Sequence, residues 1–405
     1  MSNRLKLHER VARRVVLAVN FVSRRLGRGA GTVIGGRFGL HIAPGLLESL
    51  SRGRTIVLVS GTNGKTTTTS MVVAGWGGAV TTNQTGANMP AGHVAALSAD
   101  VNERTVLEVD EAWLADVLEA THARVVILLN LSRDQLDRAN EVRHMAERWC
   151  RALATQRDWP LSVVANANDP MIVYAARDTA HVLWCDVPTN WLADALSCPV
   201  CTAIVQFHGR DWWCACGFRR PNSMTTLLAD TLQIGGDEVA LDLAVPGDFN
   251  RANAAMALSA LYELGEPLAL AVQGVNALQS VAGRFSLRHW RGRDVRLLLA
   301  KNPAGFSAML STVPTDNSEV WVAINARVAD GRDPSWLYDI DFESLRGHHV
   351  RCLGDRRLDI ATRLDYAGVG VDVVDDELEL LTDQSSVLLL ANYTAFAEWM
   401  ARSQP

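Results

Sequence analysis

Residues 55–70 read TIVLVSGTNGKTTTTS: an apolar, β-branched run, then a glycine turn, a lysine and a hydroxyl residue opening a helix-compatible stretch. A glycine-rich turn at a helix N-terminus aims backbone N–H groups at phosphates. Lys65 would neutralise the β- and γ-oxygens, and the Thr66 hydroxyl would ligate Mg²⁺. Gly61, Thr62, Asn63, Gly64, Lys65, Thr66 and Thr67 are therefore the candidate ATP-binding residues. The spacing is G-x-x-G-K-T, with Val59 where the longer form of the motif has its first glycine, so the strand–loop–helix context carries the assignment. Lysine usage adds weight: Lys6, Lys65 and Lys301 are the only lysines among 39 basic residues. In so arginine-biased a chain, a retained lysine marks a place where a compact ammonium is needed.

Working outward, apolar runs recur at TVLEVD (105–110), VVILLN (125–130) and LSVVAN (161–166), separated by helical lengths. Continuous apolar runs of this kind predict a parallel sheet covered on both faces. Glu108 and Asp110 lie at the end of the next run, where a nucleotide-bound Mg²⁺ finds its second protein ligand. Glu108 is the preferred Mg²⁺ ligand, with helix capping the alternative role for Asp110 and Glu111. Beyond GRFSLRHWRGR (283–293) a second alternation begins with VRLLLA, VWVAIN, HHVRCL, VGVDVV and SVLLLA. This predicts a separate α/β domain. The expected division is 1–44, a basic amphipathic helical region; 45–285, an ATP-binding domain with an insertion at 195–222; and 286–405, a Rossmann-like domain.

With 405 residues, two or three domains are expected at roughly 150 residues each. The formal charge of -5 gives no reason to expect whole-chain nucleic-acid binding. No apolar run reaches the length of a bilayer span and no signal peptide is evident, so the expected location is cytoplasmic. Residues 1–30 carry eight Lys/Arg against the single acid Glu9, with apolar residues at helical spacing. The expected arrangement packs that apolar face on the next domain; attraction to the inner face of an anionic membrane is the alternative. Seven cysteines include the close pairs Cys198/Cys201 and Cys214/Cys216, which in a cytoplasmic chain suggest metal before disulfide.

Taken in order, GTNGKT, Glu108, the NxxxDxxDR run (130–138), NANDP (166–170), PGDFNRAN (246–253) and GRF (283–285) resemble the central ATPase domain of the Mur ligases. The segments TNQTGANMPAG (82–92), CGFRRP (216–221), LAKNPAGF (299–306), DGRDPSWLYD (330–339) and ANYTAF (391–396) narrow the likeness to the family's MurT-type branch, over nearly the whole chain from about residue 45. The resemblance implies an α/β fold: a Mur ligase P-loop ATPase domain with a zinc-ribbon insertion, then a Rossmann-like domain. It implies ATP-dependent amidation, through an acyl phosphate, of the D-glutamate α-carboxylate in the lipid II stem peptide. Ammonia would come from a GatD-type glutamine amidotransferase subunit.

By the same likeness Asn253 should contact adenine, Arg284 and Lys301 should lie near the phosphates or the acyl intermediate, and Asp339 or Asp333 should be catalytic. Cys198, Cys201, Cys214 and Cys216 should hold a structural zinc. The second cysteine pair is C-x-C where the branch usually has C-x₂-C, so Cys185 stands as an alternative fourth ligand. Two departures bear on metals. Residues 138–160 contain no lysine, which removes the carbamylated lysine ligand of amino-acid-adding Mur ligases, and Gln135 stands where those enzymes often carry a metal-binding histidine. A folylpolyglutamate-synthase-like ligase and a zinc-ribbon nucleic-acid-binding NTPase are the competing readings.

Overall fold

The computed structural model describes residues 5–25, 33–83, 87–133, 141–156, 159–189, 191–279, 285–313, 319–375 and 386–403. They form two compact units: one drawn from 1–131, 141–243 and 250–278, the other from 132–140, 244–249 and 279–405.

The first unit opens with helices α1 (Leu7–Arg25), α2 (Ile34–Ile42) and α3 (Leu46–Ser51), followed by β1 (Thr55–Ser60), α4 (Lys65–Trp76), β2 (Val80–Thr82), α5 (Pro90–Ala99), β3 (Arg104–Glu108), α6 (Leu114–Thr121) and β4 (Val125–Leu128). It continues through α7 (Glu141–Ala154), β5 (Ser162–Asn166), α8 (Pro170–Ala176) and β6 (Val182–Asp186). A two-stranded ribbon, β7 (Gln206–His208) and β8 (Asp211–Trp213), precedes β9 (Thr225–Leu228), β10 (Thr231–Ile234), β11 (Asp237–Ala240), α9 (Asp248–Glu263) and α10 (Leu268–Asn276). The main sheet runs β11-β10-β9-β6-β5-β4-β1-β3-β2, parallel from β9 to β2. Its central strands are buried along their whole length, as their Val/Ile/Leu runs require when helices cover both faces. β1 lies between β4 and β3, where the strand order reverses, and loops at such a switch point form the ligand crevice of open α/β sheets.

The second unit contains β12 (Phe285–Trp290), β13 (Arg293–Leu299), α11 (Pro303–Leu310), β14 (Glu319–Ala323), β15 (His349–Leu353), α12 (Arg357–Tyr366), β16 (Gly370–Val373), β17 (Ser386–Ala391) and α13 (Tyr393–Arg402). The sheet order is β12-β13-β17-β14-β15-β16, parallel except for the β12–β13 hairpin. Arg291 and Gly292 join that hairpin with φ of 48° and 84°, the pair of positive angles that a two-residue primed turn needs. One face of the sheet packs Phe306, Trp336 and Phe342, and the other packs Trp290, Trp321 and Trp399.

The N-terminal helix meets the expected packing only in part: Ala12 and Val16 lie in the core of the first unit with Leu5 packed against it. The helix's inward face is Glu9, Ala12, Val16, Asn20 and Ser23, whereas Leu7, Val11, Leu17, Phe21 and Val22 are exposed. The seat on α2 is tight: a Cβ on Gly35 would come 2.6 Å from the Val16 carbonyl oxygen, so the α2 side of this contact is held to glycine. No described helix is long and apolar enough to cross a membrane.

Candidate active site and metal centre

The carboxyl ends of β1, β3, β4 and β5 meet around the loop 61–64. Two hydrogen bonds tie this loop to Asn130 beyond β4: Thr62 N–H donates to its carbonyl oxygen at 3.0 Å and Asn63 N–H to its Oδ1 at 2.9 Å. The Asn130 amide returns a bond to the Asn63 carbonyl at 3.0 Å. Gly64 has φ of 88°, and a Cβ there would sit 2.5 Å from Asn253 Oδ1. Glycine is thus required twice at this position, for the left-handed backbone and for the close approach of the asparagine. Asn253, buried on α9, is thereby placed against the phosphate-loop turn.

Lys65 and Thr66 form the first turn of α4. The Lys65 ammonium donates to the Gly61 carbonyl at 2.6 Å and pairs with Glu111 Oε2 at 3.0 Å. The Thr66 hydroxyl donates to Glu108 Oε2 at 2.8 Å. Glu108 is itself held from behind. Asn83 accepts from its N–H at 2.9 Å and donates to its carbonyl at 2.8 Å, and His93 Nε2 donates to the same carbonyl at 2.9 Å. Burial pushes the His93 imidazole down to about 4, so it is neutral and Nε2 carries the proton. Asp110 accepts from Ala112 N–H and caps the following 3₁₀ turn, as the capping alternative anticipated. Glu111 does not cap; it holds Lys65, a part that sequence spacing alone did not single out. A hydroxyl beside a carboxylate, at a helix N-terminus with a buried ammonium, is a donor set suited to a triphosphate and a hard divalent cation.

NANDP forms the next wall. Asp169 accepts from Met171 and Ile172 N–H at the start of α8 and from Leu131 N–H beyond β4. Its burial outweighs those three donors and raises its carboxyl to about 6. Asn168 takes Arg220 Nε at 2.6 Å, and Arg220 also pairs with Asp186 at 2.8 Å, fastening the cysteine-bearing insertion to the sheet edge.

Within that insertion the four Sγ atoms of Cys198, Cys201, Cys214 and Cys216 all lie within 4.8 Å of one another. The Cys198–Cys216 and Cys201–Cys214 separations are 3.8 and 3.4 Å. A tetrahedral tetrathiolate with Zn–S near 2.3 Å has edges of about 3.8 Å, so the set fits zinc. Cys185 is buried in β6 with Sγ 3.4 Å from Ser259 Oγ, and it is not in the cluster. The C-x-C segment reaches the cluster because Gly217 (φ 90°) closes a turn back onto Cys214, its N–H bonding the Cys214 carbonyl. Trp212 anchors the ribbon, its indole N–H donating to the Ala167 carbonyl at 3.0 Å.

The second unit holds the remaining candidates. Lys301 follows β13, next to Asn302, which caps α11. Asp333 is exposed and accepts from Ser335 N–H at 2.9 Å, just before the 3₁₀ turn Ser335–Asp339, a bond that lowers its carboxyl. Asp339, at the end of that turn, lies 3.9 Å from an Arg133 guanidinium nitrogen. Asp330 accepts from both the N–H and the hydroxyl of Thr394 at the start of α13. Asp134, Gln135, Asp137, Arg138 and Arg284 lie outside the described residues.

Comparisons with known proteins agree with this geometry. The Mur ligase middle-domain model matches residues 59–261, and the MurT ligase C-terminal model matches residues 299–396. The chain is 28% identical to the lipid II isoglutaminyl synthase (glutamine-hydrolyzing) subunit MurT of Staphylococcus aureus strain COL, covering 93% of each chain. It is 29% identical to the subunit of the same name from Streptococcus pneumoniae, over 94% of this chain and 93% of that one. Among solved structures, a pseudomurein peptide ligase type C from Methanothermus fervidus matches with a TM-score of 0.66 at 18% identity, covering 86% of this chain and 78% of that one. The MurF ligase of Thermotoga maritima in complex with ADP matches with a TM-score of 0.62 at 14% identity, covering 90% and 83%.

Proposed function

Because the chain belongs to the Mur ligase family, we propose that it is the ATP-dependent ligase subunit of a lipid II isoglutaminyl synthase, converting the D-glutamate α-carboxylate of the stem peptide to the amide. The observation that carries the reading is the pairing of Lys65 and Thr66, in the first turn of α4, with Glu111 and Glu108 at the carboxyl end of β3. A carboxylate is a poor electrophile, and Mg²⁺·ATP supplies the phosphoryl group that makes it a leaving-group-bearing acyl phosphate.

The protein's part is positioning and charge. Gly61–Thr67 present backbone N–H groups, Lys65 offsets the charge of the phosphates, and Thr66 with Glu108 holds the cation. Asn130 fixes the loop, while Asn83 and His93 fix Glu108, so these groups need little reorganisation as charge develops. Asn253 borders the nucleotide, with Arg284 and Lys301 assigned to the phosphates or the acyl intermediate. Asp339 is the preferred catalytic carboxylate of the second unit, since Asp333 is engaged by the Ser335 N–H. The four cysteines hold zinc as a closed structural site with no open position for water. Ammonia comes from a partner glutaminase of the GatD type, and the reaction belongs to the cytoplasmic compartment that supplies ATP.

The competing nucleic-acid reading needs a basic ribbon. Arg210 and Arg220 are instead both engaged by Asp186, leaving Arg219 as the only other cation of the insertion. Purified chain should hydrolyse ATP faster when given lipid II and ammonium chloride together. Stimulation by folate with glutamate, or by nucleic acid, with none by lipid II, would overturn the reading.

A further inference from the structure

We propose that α1 and α2 form a docking face for an anionic lipid bilayer, with α1 lying in the plane of the interface. The inference rests on which way the side chains point. On α1 the inward face is Glu9, Ala12, Val16, Asn20 and Ser23, and other large apolar residues are turned out: Leu7 is 78% exposed, Phe21 51% and Val22 52%. On α2 the glycines Gly35, Gly36 and Gly39 are buried, while Phe38 is 53% exposed beside exposed Ile34 and Ile42. The packing enforces this arrangement, because a Cβ on Gly36 would sit 1.8 Å from the Ala91 carbonyl oxygen of α5. An apolar α2 surface facing inward at that position would not fit.

Charge selects the occupant. Arg10, Arg14, Arg24 and Arg25 are exposed on the same helix, and Arg37 is exposed on α2. The single acid of this region, Glu9, is turned inward, accepting from Ser49 Oγ at 2.7 Å and Lys6 N–H at 2.6 Å. The outward surface of α1 is thus apolar and cationic with no carboxylate on it, in a chain whose formal charge is -5. Attraction to the surface is therefore local and not a property of the whole chain. A helix of 19 residues spans about 28 Å, and arginines interleaved with Leu, Val and Phe suit the boundary between headgroups and acyl chains. A protein partner of ordinary interface composition gives no reason for an acid-free cationic surface.

The test uses the full chain in flotation with vesicles of equal parts phosphatidylglycerol and phosphatidylcholine, and with phosphatidylcholine alone. Binding should favour the anionic vesicles and weaken as salt is raised. The combined Arg10→Glu, Arg14→Glu, Arg25→Glu variant should lose affinity by at least about tenfold. A Phe21→Ser, Phe38→Ser variant should lose affinity severalfold while keeping its thermal midpoint. Equal binding to both vesicles, or undiminished binding by the charge-reversed variant, would overturn the proposal. So would a concentration-dependent dimer abolished by Phe21→Ser with no vesicle binding. These vesicles carry no peptide substrate, so the result stands apart from the outcome of the ligase assay.

Discussion

The bond between Thr66 and Glu108 and the ion pair between Lys65 and Glu111 give the two carboxylates different tasks. Glu108 shares its oxygen with a hydroxyl and is clamped through its backbone by Asn83 and His93, so it suits a cation ligand. Glu111 engages an ammonium whose side chain is only 4% exposed. Lys65→Ala should lower turnover by roughly 10²–10³-fold through lost stabilisation of the transferring phosphoryl group. Thr66→Ala should act in the same direction, both variants keeping the far-UV circular dichroism of the parent. Wild-type rates in either would remove the phosphate-loop reading. Glu111→Gln should tighten ATP binding severalfold in calorimetry, because Lys65 is then released to the phosphates. Weakened binding would mean that Glu111 instead orients Lys65 toward the nucleotide.

At the scale of elements, the ribbon is a short two-stranded piece whose own core is little more than Trp212, Val205 and the cysteines packed on Val173. A segment this small would gain much of its order from a metal held by the four cysteines. Elemental analysis should find about one zinc per chain. Cys216→Ser should reduce that content, and Cys185→Ser should leave it unchanged because Cys185 belongs to the β6–α9 packing. In the second unit, α12 is joined to the 3₁₀ turn Phe342–Leu345 by Arg363, which donates to the Ile340 carbonyl and pairs with Glu343 at 3.0 Å. The Arg363 guanidinium holds the Glu343 carboxyl down to about 2. A carboxyl depressed on folding adds stability above its unfolded value near 4.5, and that stability is lost as pH falls toward 2. Glu343 is partly solvated, so the effect is modest. Urea midpoints should fall less steeply between pH 4.5 and 2.5 in Glu343→Gln than in the parent; parallel curves would refute the linkage.

For the whole molecule, the seven cysteines bear on whether this chain could release ammonia from glutamine itself. Four converge in the ribbon. Cys150 bonds Asp178, Cys185 lies against Ser259, and Cys352 is buried in β15 with its thiol pushed up to about 12 by burial. None of these is an exposed thiolate beside a histidine, the combination that a glutaminase needs. The purified chain with lipid II, ATP and Mg²⁺ should therefore amidate with ammonium chloride and fail with glutamine. Glutamine-dependent product without a second protein would contradict it.

Periodicity and local chemistry in the sequence determined the parallel strands, the phosphate loop and the order of family motifs, because these depend on neighbours a few residues apart. Two hairpin turns are equally local, Arg291-Gly292 and Gly235-Gly236 between β10 and β11, both with positive φ in the fold. The partners of single side chains were decided only by tertiary structure. Asp110 and Glu111 are adjacent in sequence, yet one caps a turn and the other reaches Lys65 in α4. Cys216 was the expected fourth ligand with Cys185 the alternative, and only the chain path sets Cys216 in the cluster and Cys185 in the sheet. The outward orientation of Phe21 likewise depends on how α1 seats on a different helix, since a helix's pattern shows that it has faces but only its neighbours determine which face is covered.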